Sequence, residues 1–424
     1  MTDPLVPLFD LRLEDSDIEA VGDTLRSGWL TMGPRTQRFE EEFAAHLGVR
    51  HAVALSSCTA ALHLAYLAAG VGPGDEVIVP SMTFGATANA VIHAGGTPVL
   101  ADILGPSDLG IDPADVEARI TARTKAVCVV HYAGYAAAVE ELRRLCDERG
   151  LALIEDAAHA PSAAPLGSEP KLGTYGLAGA FSFFSNKVLS CGEGGLLATD
   201  DDSVAEMARA YRSHAMTATT WDRHRGHSAG YDVVGLGFNY RMDEPRAALL
   251  SSRLLRLERE IAARRRLVHR YRELLADVAG LLLPYSDEEV DASSCYVMPA
   301  MLEDPALRDP LREHMRSEHA VQTSVLYPAI HEFTAYRATG GLSLPRSELA
   351  GRAQITLPLF PHLTEHDQGR VVRAVGDGLE KLARASSSPR ASIDESPQQT
   401  PAGGPSRDRG HGGDGRPGAR AAGE

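Results

Sequence analysis

The sequence predicts an α/β fold, with a mostly parallel central sheet flanked by helices and a smaller C-terminal α+β domain. Two observations carry this. Between about residues 50 and 200, short apolar runs alternate with helical patterns, the arrangement of parallel strands covered on both faces. The 424 residues are also 44% hydrophobic and 23% charged, enough to bury a large core.

The strands expected from these runs are Ala52–Leu55, Glu76–Pro80, Thr97–Ala101, Ala126–Val130, Leu151–Glu155, Gly179–Phe183 and Gly194–Thr199. Helices fit Thr59–Ala69, Phe84–His93 and Ala138–Arg149, the last with Val139, Leu142 and Leu145 on one face. A long arginine-rich helix follows over about Pro245–Leu275, with leucines at helical spacing. Beyond it CYVMPAML and VQTSVLY read as strands, and LPLFPHL and a helix near Glu365–Leu382 close the body. Two unequal domains result, 1–245 and 246–385. The stretch 386–424 has almost no large apolar residues and is dense in Gly, Pro, Ser and Arg, so disorder is expected there.

Composition excludes several functions. No run reaches the roughly 18 uncharged apolar residues of a membrane span, and no basic-then-apolar leader is present. Five scattered cysteines without a CxxC pair argue against a disulfide scaffold or a cysteine zinc site, and suit the cytoplasm. A net charge of -15 makes nucleic acid a poor partner. Gly70, Gly72 and Gly74 precede the EVIVP strand instead of following it, so a dinucleotide fingerprint fails. No metal site is expected: His224 and His227 lack further ligands at convincing spacing.

Only four lysines can carry amine chemistry: Lys125, Lys171, Lys187 and Lys381. Lys187 stands apart, lying after the apolar run AFSFF and before a Gly-rich turn. Apolar surroundings lower a lysine's pKa and make it a nucleophile or Schiff-base former; a surface lysine at a strand end is the plainer reading. A second feature favours chemistry. LALIEDAAHA ends a strand with Glu155 and Asp156, followed by His159, and ligands collect at the carboxyl ends of parallel strands. Pyridoxal phosphate needs a lysine for its imine and a carboxylate for its ring nitrogen. Lys187 and Asp156 supply that pair. Third, SSCTAALHLA opens a helix after the first strand, and Ser57 or Thr59 at its start offers a phosphate cradle of free backbone N–H groups. Ser182 adds a hydroxyl, and Phe84 a flat face for a ring.

Together, GWLTMGPRTQRFEEEFAAHLGV, the SSCTAALHLA to VLADI stretch, IEDAAHAPSA, FSFFSNKVLSCGEGG and LGFNYRMDEPRAALL resemble the DegT/StrS-type sugar aminotransferase family, from about Leu8 to Leu382. The resemblance implies a fold-type I enzyme that uses pyridoxal 5'-phosphate and works as a homodimer with shared active sites. It implies amino transfer from glutamate or glutamine to a keto sugar, mostly nucleotide-linked, for antibiotics or polysaccharides. A keto cyclitol is the alternative acceptor, and a non-catalytic cofactor-binding regulator the alternative role. By the same resemblance Lys187 is the imine-forming lysine, Asp156 the partner of the ring nitrogen, and His159 lies near the ring. Phe84 stacks on it, Thr59, Ala60 and Ser182 hold the phosphate, and Asn239 reaches the phosphate from the neighbouring subunit. Relatives that dehydrate sugars carry histidine in place of the lysine, so Lys187 favours amino transfer.

Three departures from the family pattern stand out. Cys58 replaces a common glycine, and Tyr135 and Ala136 replace Gln/His and Pro. The segment Trp221–Tyr231, WDRHRGHSAGY, offers cations and flat faces for a nucleotide diphosphate, or else forms an interface loop. Tyr327 and His331 lie where the family approaches its substrate.

Overall fold

The computed structural model describes residues 4–218, 221, 224, 226, 230–336 and 342–387. Two helices, α1 (Asp15–Arg26) and α2 (Pro34–Leu47), precede β1 (His51–Leu55). Then α3 (Cys58–Ala68), β2 (Glu76–Pro80), α4 (Gly85–His93), β3 (Thr97–Ala101), α5 (Pro113–Arg119) and β4 (Thr124–Val130) alternate. They are followed by α6 (Val139–Arg149), β5 (Ala152–Asp156), β6 (Ala178–Ser182), β7 (Gly195–Thr199) and α7 (Asp202–Tyr211). The strands form one seven-stranded sheet in the order β1-β7-β6-β5-β4-β2-β3. Only β7 runs against its neighbours, so the sheet is mostly parallel, as the alternation predicts.

The expected strand and helix bounds in this half fall within two residues of those observed, because each run is apolar and its flanking residues terminate it. Ser57 caps α3, its Oγ accepting the Ala60 N–H at 3.1 Å, and Asp201 caps α7 through two N–H groups. One face of the sheet packs on α2, where Phe39, Phe43, Phe181 and Phe183 meet edge to face at 5.3–5.5 Å. The other face buries Leu62, Leu64 and Tyr66 of α3.

The remaining elements are α8 (Glu244–Leu254), α9 (Leu257–Leu275), β8 (Leu281–Leu282), α10 (Asp287–Ala292), β9 (Met298–Leu302), α11 (Arg308–His319), α12 (Pro345–Ala353), β10 (Gln354–Leu357) and α13 (Glu365–Ser387). β10, β9 and β8 make an antiparallel three-stranded sheet, packed on Val268, Tyr271 and Leu275 of α9 and Val371 and Val375 of α13. The N-terminal segment joins this region: Val6 bonds Ala320 and Gln322, and Leu359 N–H donates to Leu8 at 3.1 Å.

Three expectations need correction. The single helix over 245–275 is two helices, α8 and α9. Arg256, between them, leaves helical geometry at φ -117°, ψ 5°, and its guanidinium reaches Asp17 at 2.8 and 2.5 Å and Glu260 at 2.8 Å. VQTSVLY forms only isolated bridges: Val321 meets Val6, and Ser324 meets Thr356 of β10, each at a single residue pair, so no ladder extends along it. In CYVMPAML only Met298–Leu302 is strand; Cys295 takes φ 47°, which breaks the extended chain. Of the stretch 386–424, residues 386 and 387 end α13, and the rest lies outside the described residues. Among the described residues no helix is long and apolar enough to cross a membrane.

Asp17 is fully buried and binds Arg256 and Ser252, tying α1 to the α8–α9 corner. Asp17→Ala leaves Arg256 buried with one partner fewer and should cost on the order of 3 kcal/mol, read as a lowered denaturation midpoint. A loss below about 1 kcal/mol, the size for an exposed pair, would contradict this role.

Candidate active site

The carboxyl end of β5 presents two acids to opposite faces, as strand alternation requires. Glu155 points into the core and accepts N–H groups from Gly173 (2.7 Å), Tyr175 (2.6 Å) and Gly176 (2.8 Å), and pairs with buried His131 at 3.0 Å. This clamp fixes the strand end that carries its neighbour. Asp156 faces the crevice, where Thr87 Oγ1 donates to it at 2.8 Å and the Ala158 N–H at 3.2 Å. Cys58 Sγ lies 4.0 Å from the same carboxylate. Burial pushes the Asp156 carboxyl up, and the Thr87 bond opposes it.

Lys187 sits in the turn after β6. Its N–H bonds the Phe184 carbonyl at 2.9 Å, and Arg253 of α8 holds the next residues through the Ser190 carbonyl at 2.8 Å. The ammonium lies 4.3 Å from the centre of the Tyr296 ring. Burial lowers the amine to about 8, against the pull of Asp156, so the neutral form is reached well below the pH at which a free lysine loses its proton.

Both groups line one cavity of about 500 Å³, together with Thr59, Phe84, His159 and Ser182. Ser57, Cys58 and Thr59 bring the start of α3 to its wall, where the first-turn N–H groups lack intrahelical acceptors. A Cβ at Gly195 would collide with the Ser57 carbonyl and Cys58 nitrogen, so only glycine lets β7 lie against this turn. Phe84 is 62% exposed at the mouth, its ring 6.0 Å from that of Tyr327. His159 is buried, stacked on Tyr296 at 4.4 Å, with Nε2 2.8 Å from the Tyr327 hydroxyl. Burial and the nearby Lys187 charge hold it well below the ordinary histidine range, hence neutral. Its Nδ1 is buried without a partner among the described residues.

Ala60 does not line the cavity, and Asn239, expected to act from the neighbouring subunit, does not line that of its own chain. Ala60 is buried behind the wall and its N–H is engaged by Ser57, because the cap of α3 uses it. Asn239 is exposed and bridged to Ser213. His331 is also displaced, held between Ser81 (2.7 Å) and Glu348 (3.4 Å), whereas Tyr327 does line the cavity. Tyr135 stacks at 3.9 Å on Tyr285 in the core, away from the cavity. Trp221 and His224 pack on Trp29 at 4.7 and 4.6 Å; Arg223, Arg225 and His227 lie outside the described residues.

Sequence reading missed Thr87 and Tyr296. Thr87 lies three residues after Phe84, one helical turn on, a spacing that could have flagged it. Tyr296 carries no local signal, since a left-handed residue at Cys295 aims it inward.

Residues 12–376 match the model of the DegT/DnrJ/EryC1/StrS aminotransferase family. The chain belongs to this family. SpsC of Bacillus subtilis (strain 168), a spore coat polysaccharide biosynthesis protein, is 37% identical over 367 residues, covering 85% of this chain and 94% of SpsC. DesI, solved in the presence of its TDP-sugar product, superposes with a TM-score of 0.80 at 34% identity, over 91% of this chain and 96% of DesI. NtdA of Bacillus subtilis, solved with bound cofactor PMP, gives 0.79 at 28% identity, over 89% and 85%. As a family member the chain is a sugar aminotransferase that depends on pyridoxal phosphate, which sets aside the non-catalytic alternative. The cavity suits that group: an acid for the ring nitrogen, an amine of lowered pKa, an open helix start for a phosphate, and an orphaned His159 nitrogen.

In the cofactor-free protein, reductive trapping of an aldehyde at Lys187 should rise through a midpoint near pH 8, and Asp156→Asn should lower that midpoint further by removing an attractive charge. A midpoint at the ordinary 10.5 would contradict the burial of the amine.

Proposed function

We propose that this enzyme moves the amino group of glutamate or glutamine onto a keto sugar carried by a nucleoside diphosphate, for an amino sugar of an antibiotic or polysaccharide. The observation that carries it is Lys187 and Asp156 facing one cavity at the carboxyl ends of the parallel strands. The nucleotide-linked acceptor is supported by the likeness to DesI, and the polysaccharide setting by the likeness to SpsC.

Bound here, pyridoxal phosphate supplies an electron sink for the carbon that loses its proton. Asp156 would keep a positive charge on the ring nitrogen, its carboxylate oriented by Thr87 and Ala158. Lys187 Nζ, its pKa lowered to about 8 by burial, in its unprotonated form takes the proton from the donor's α-carbon and returns one when the acceptor receives nitrogen. Thr59 and Ser182 would hold the phosphate at the start of α3, and Phe84 would cover the ring. Tyr296 and Tyr327 hold His159, kept neutral by burial and the Lys187 charge, fixed beside it. Asn239, exposed outside its own cavity, would serve the site of a second copy, which makes a homodimer the working form. The cytoplasm suits its five unpaired cysteines.

Lys187→Ala should remove amino transfer and the visible absorbance of the bound cofactor together; full turnover in this variant would end the proposal. Asp156→Asn should keep the cofactor bound and slow transfer on the order of 10²–10³-fold. Screening the pyridoxamine form against keto sugar nucleotides and keto cyclitols tests the acceptor: discharge by the sugar nucleotides alone is expected, and discharge by cyclitols alone would replace that acceptor.

A further inference from the structure

A second cavity, of about 490 Å³, opens beside the first and shares Phe9, Asn186 and Lys187 with it. Its walls are the N-terminal segment around residues 9–14, the 185–187 turn and one face of α9. In a chain of net charge -15 these walls are rich in cations. Most are matched. Arg253 lies 3.5 Å from Glu260, Arg256 binds Asp17 and Glu260, and Arg259 binds Glu14 at 2.7 Å. Arg264 and Arg266 differ: among the described residues neither forms an ion pair. Arg264 is buried, its Nη1 donates to the Tyr296 and Leu359 carbonyls at 3.2 and 3.1 Å, and its Nε is buried without a partner among the described residues. Arg266 is exposed at the rim.

The Glu260 charge, one turn back on α9, favours the Arg264 guanidinium without pairing with it, burial still disfavours the charged form, and an anion that reaches it offsets that cost. Arginine's planar fork suits carboxylates in particular. We propose that this cavity is the subsite for a carboxylate of the amino donor, with Arg264 at its floor and Arg266 at its rim. The choice of donor over acceptor follows from Lys187 being the shared wall. An amino acid carries a carboxylate on the very carbon whose proton Lys187 Nζ takes. The phosphates of a sugar nucleotide are set off from the reacting keto carbon by the sugar ring. The inference rests on the reading that Lys187 is the centre of amino transfer.

The probe is glutarate, a dicarboxylate with no amino group, titrated calorimetrically into the cofactor-loaded protein. Arg264→Gln should weaken binding about tenfold or more, the size of a lost charge-assisted hydrogen bond, and Arg266→Glu several-fold. Both should raise the KM of the donor. Arg264 also supports two carbonyls, so melting temperatures accompany each measurement, and Arg266→Glu decides alone if Arg264→Gln does not fold. Glutarate affinity unchanged in a folded variant would overturn the subsite, as would loss of thymidine diphosphate binding with glutarate binding intact. Weakened glutarate binding supports the subsite even if no keto sugar is aminated, an outcome that would count against the proposed acceptor alone.

Discussion

An acid and an amine share one water-poor cavity at the end of a parallel sheet, and the rest of the site is built to keep them there. Asp156 and Lys187 belong to successive strand ends, β5 and β6, which pair in parallel, so the backbone places both on the same crevice without long loops. Burial acts on them in opposite senses. It raises the carboxyl and lowers the amine, bringing both closer to the pH at which protons must move. Each charge also stabilises the other, which limits how far either shifts.

Holding such a pair requires support behind it. Glu155, one residue before Asp156, gathers three backbone N–H groups and His131, so the strand end cannot fray. Thr83 positions Thr87 at 2.7 Å, and Thr87 orients Asp156. On the lysine side, Arg253 clamps the Ser190 carbonyl and belongs to the charge network that joins α1, α8 and α9. The site thus depends on packing far from the cavity, through hydrogen bonds made by groups that water does not reach.

Much of this was legible in the sequence, for a physical reason. Strands buried on both faces must be apolar throughout, so β2, β4 and β5 announce themselves, and the chemistry follows directly at their ends in IEDAAHA and FSNKVLS. What escaped notice depends on distant partners. The leucine spacing runs unbroken through residues 250–257, yet the chain bends at Arg256, whose guanidinium is held by Asp17, 239 residues away, and by Glu260. VQTSVLY has the composition of a strand, yet it meets Val6 and Thr356 of β10 at single residue pairs only. Tyr296 enters the cavity from the region of the smaller sheet, a placement that no local pattern encodes.

A crystal structure of the chain loaded with pyridoxal phosphate tests the central claim most directly. The account predicts the ring nitrogen within hydrogen-bonding distance of the Asp156 carboxylate, the carbonyl carbon bonded to Lys187 Nζ, and the phosphate against the first turn of α3. A ring held through Lys125, Lys171 or Lys381, or one turned so that its phosphate lies beside Asp156, would contradict it.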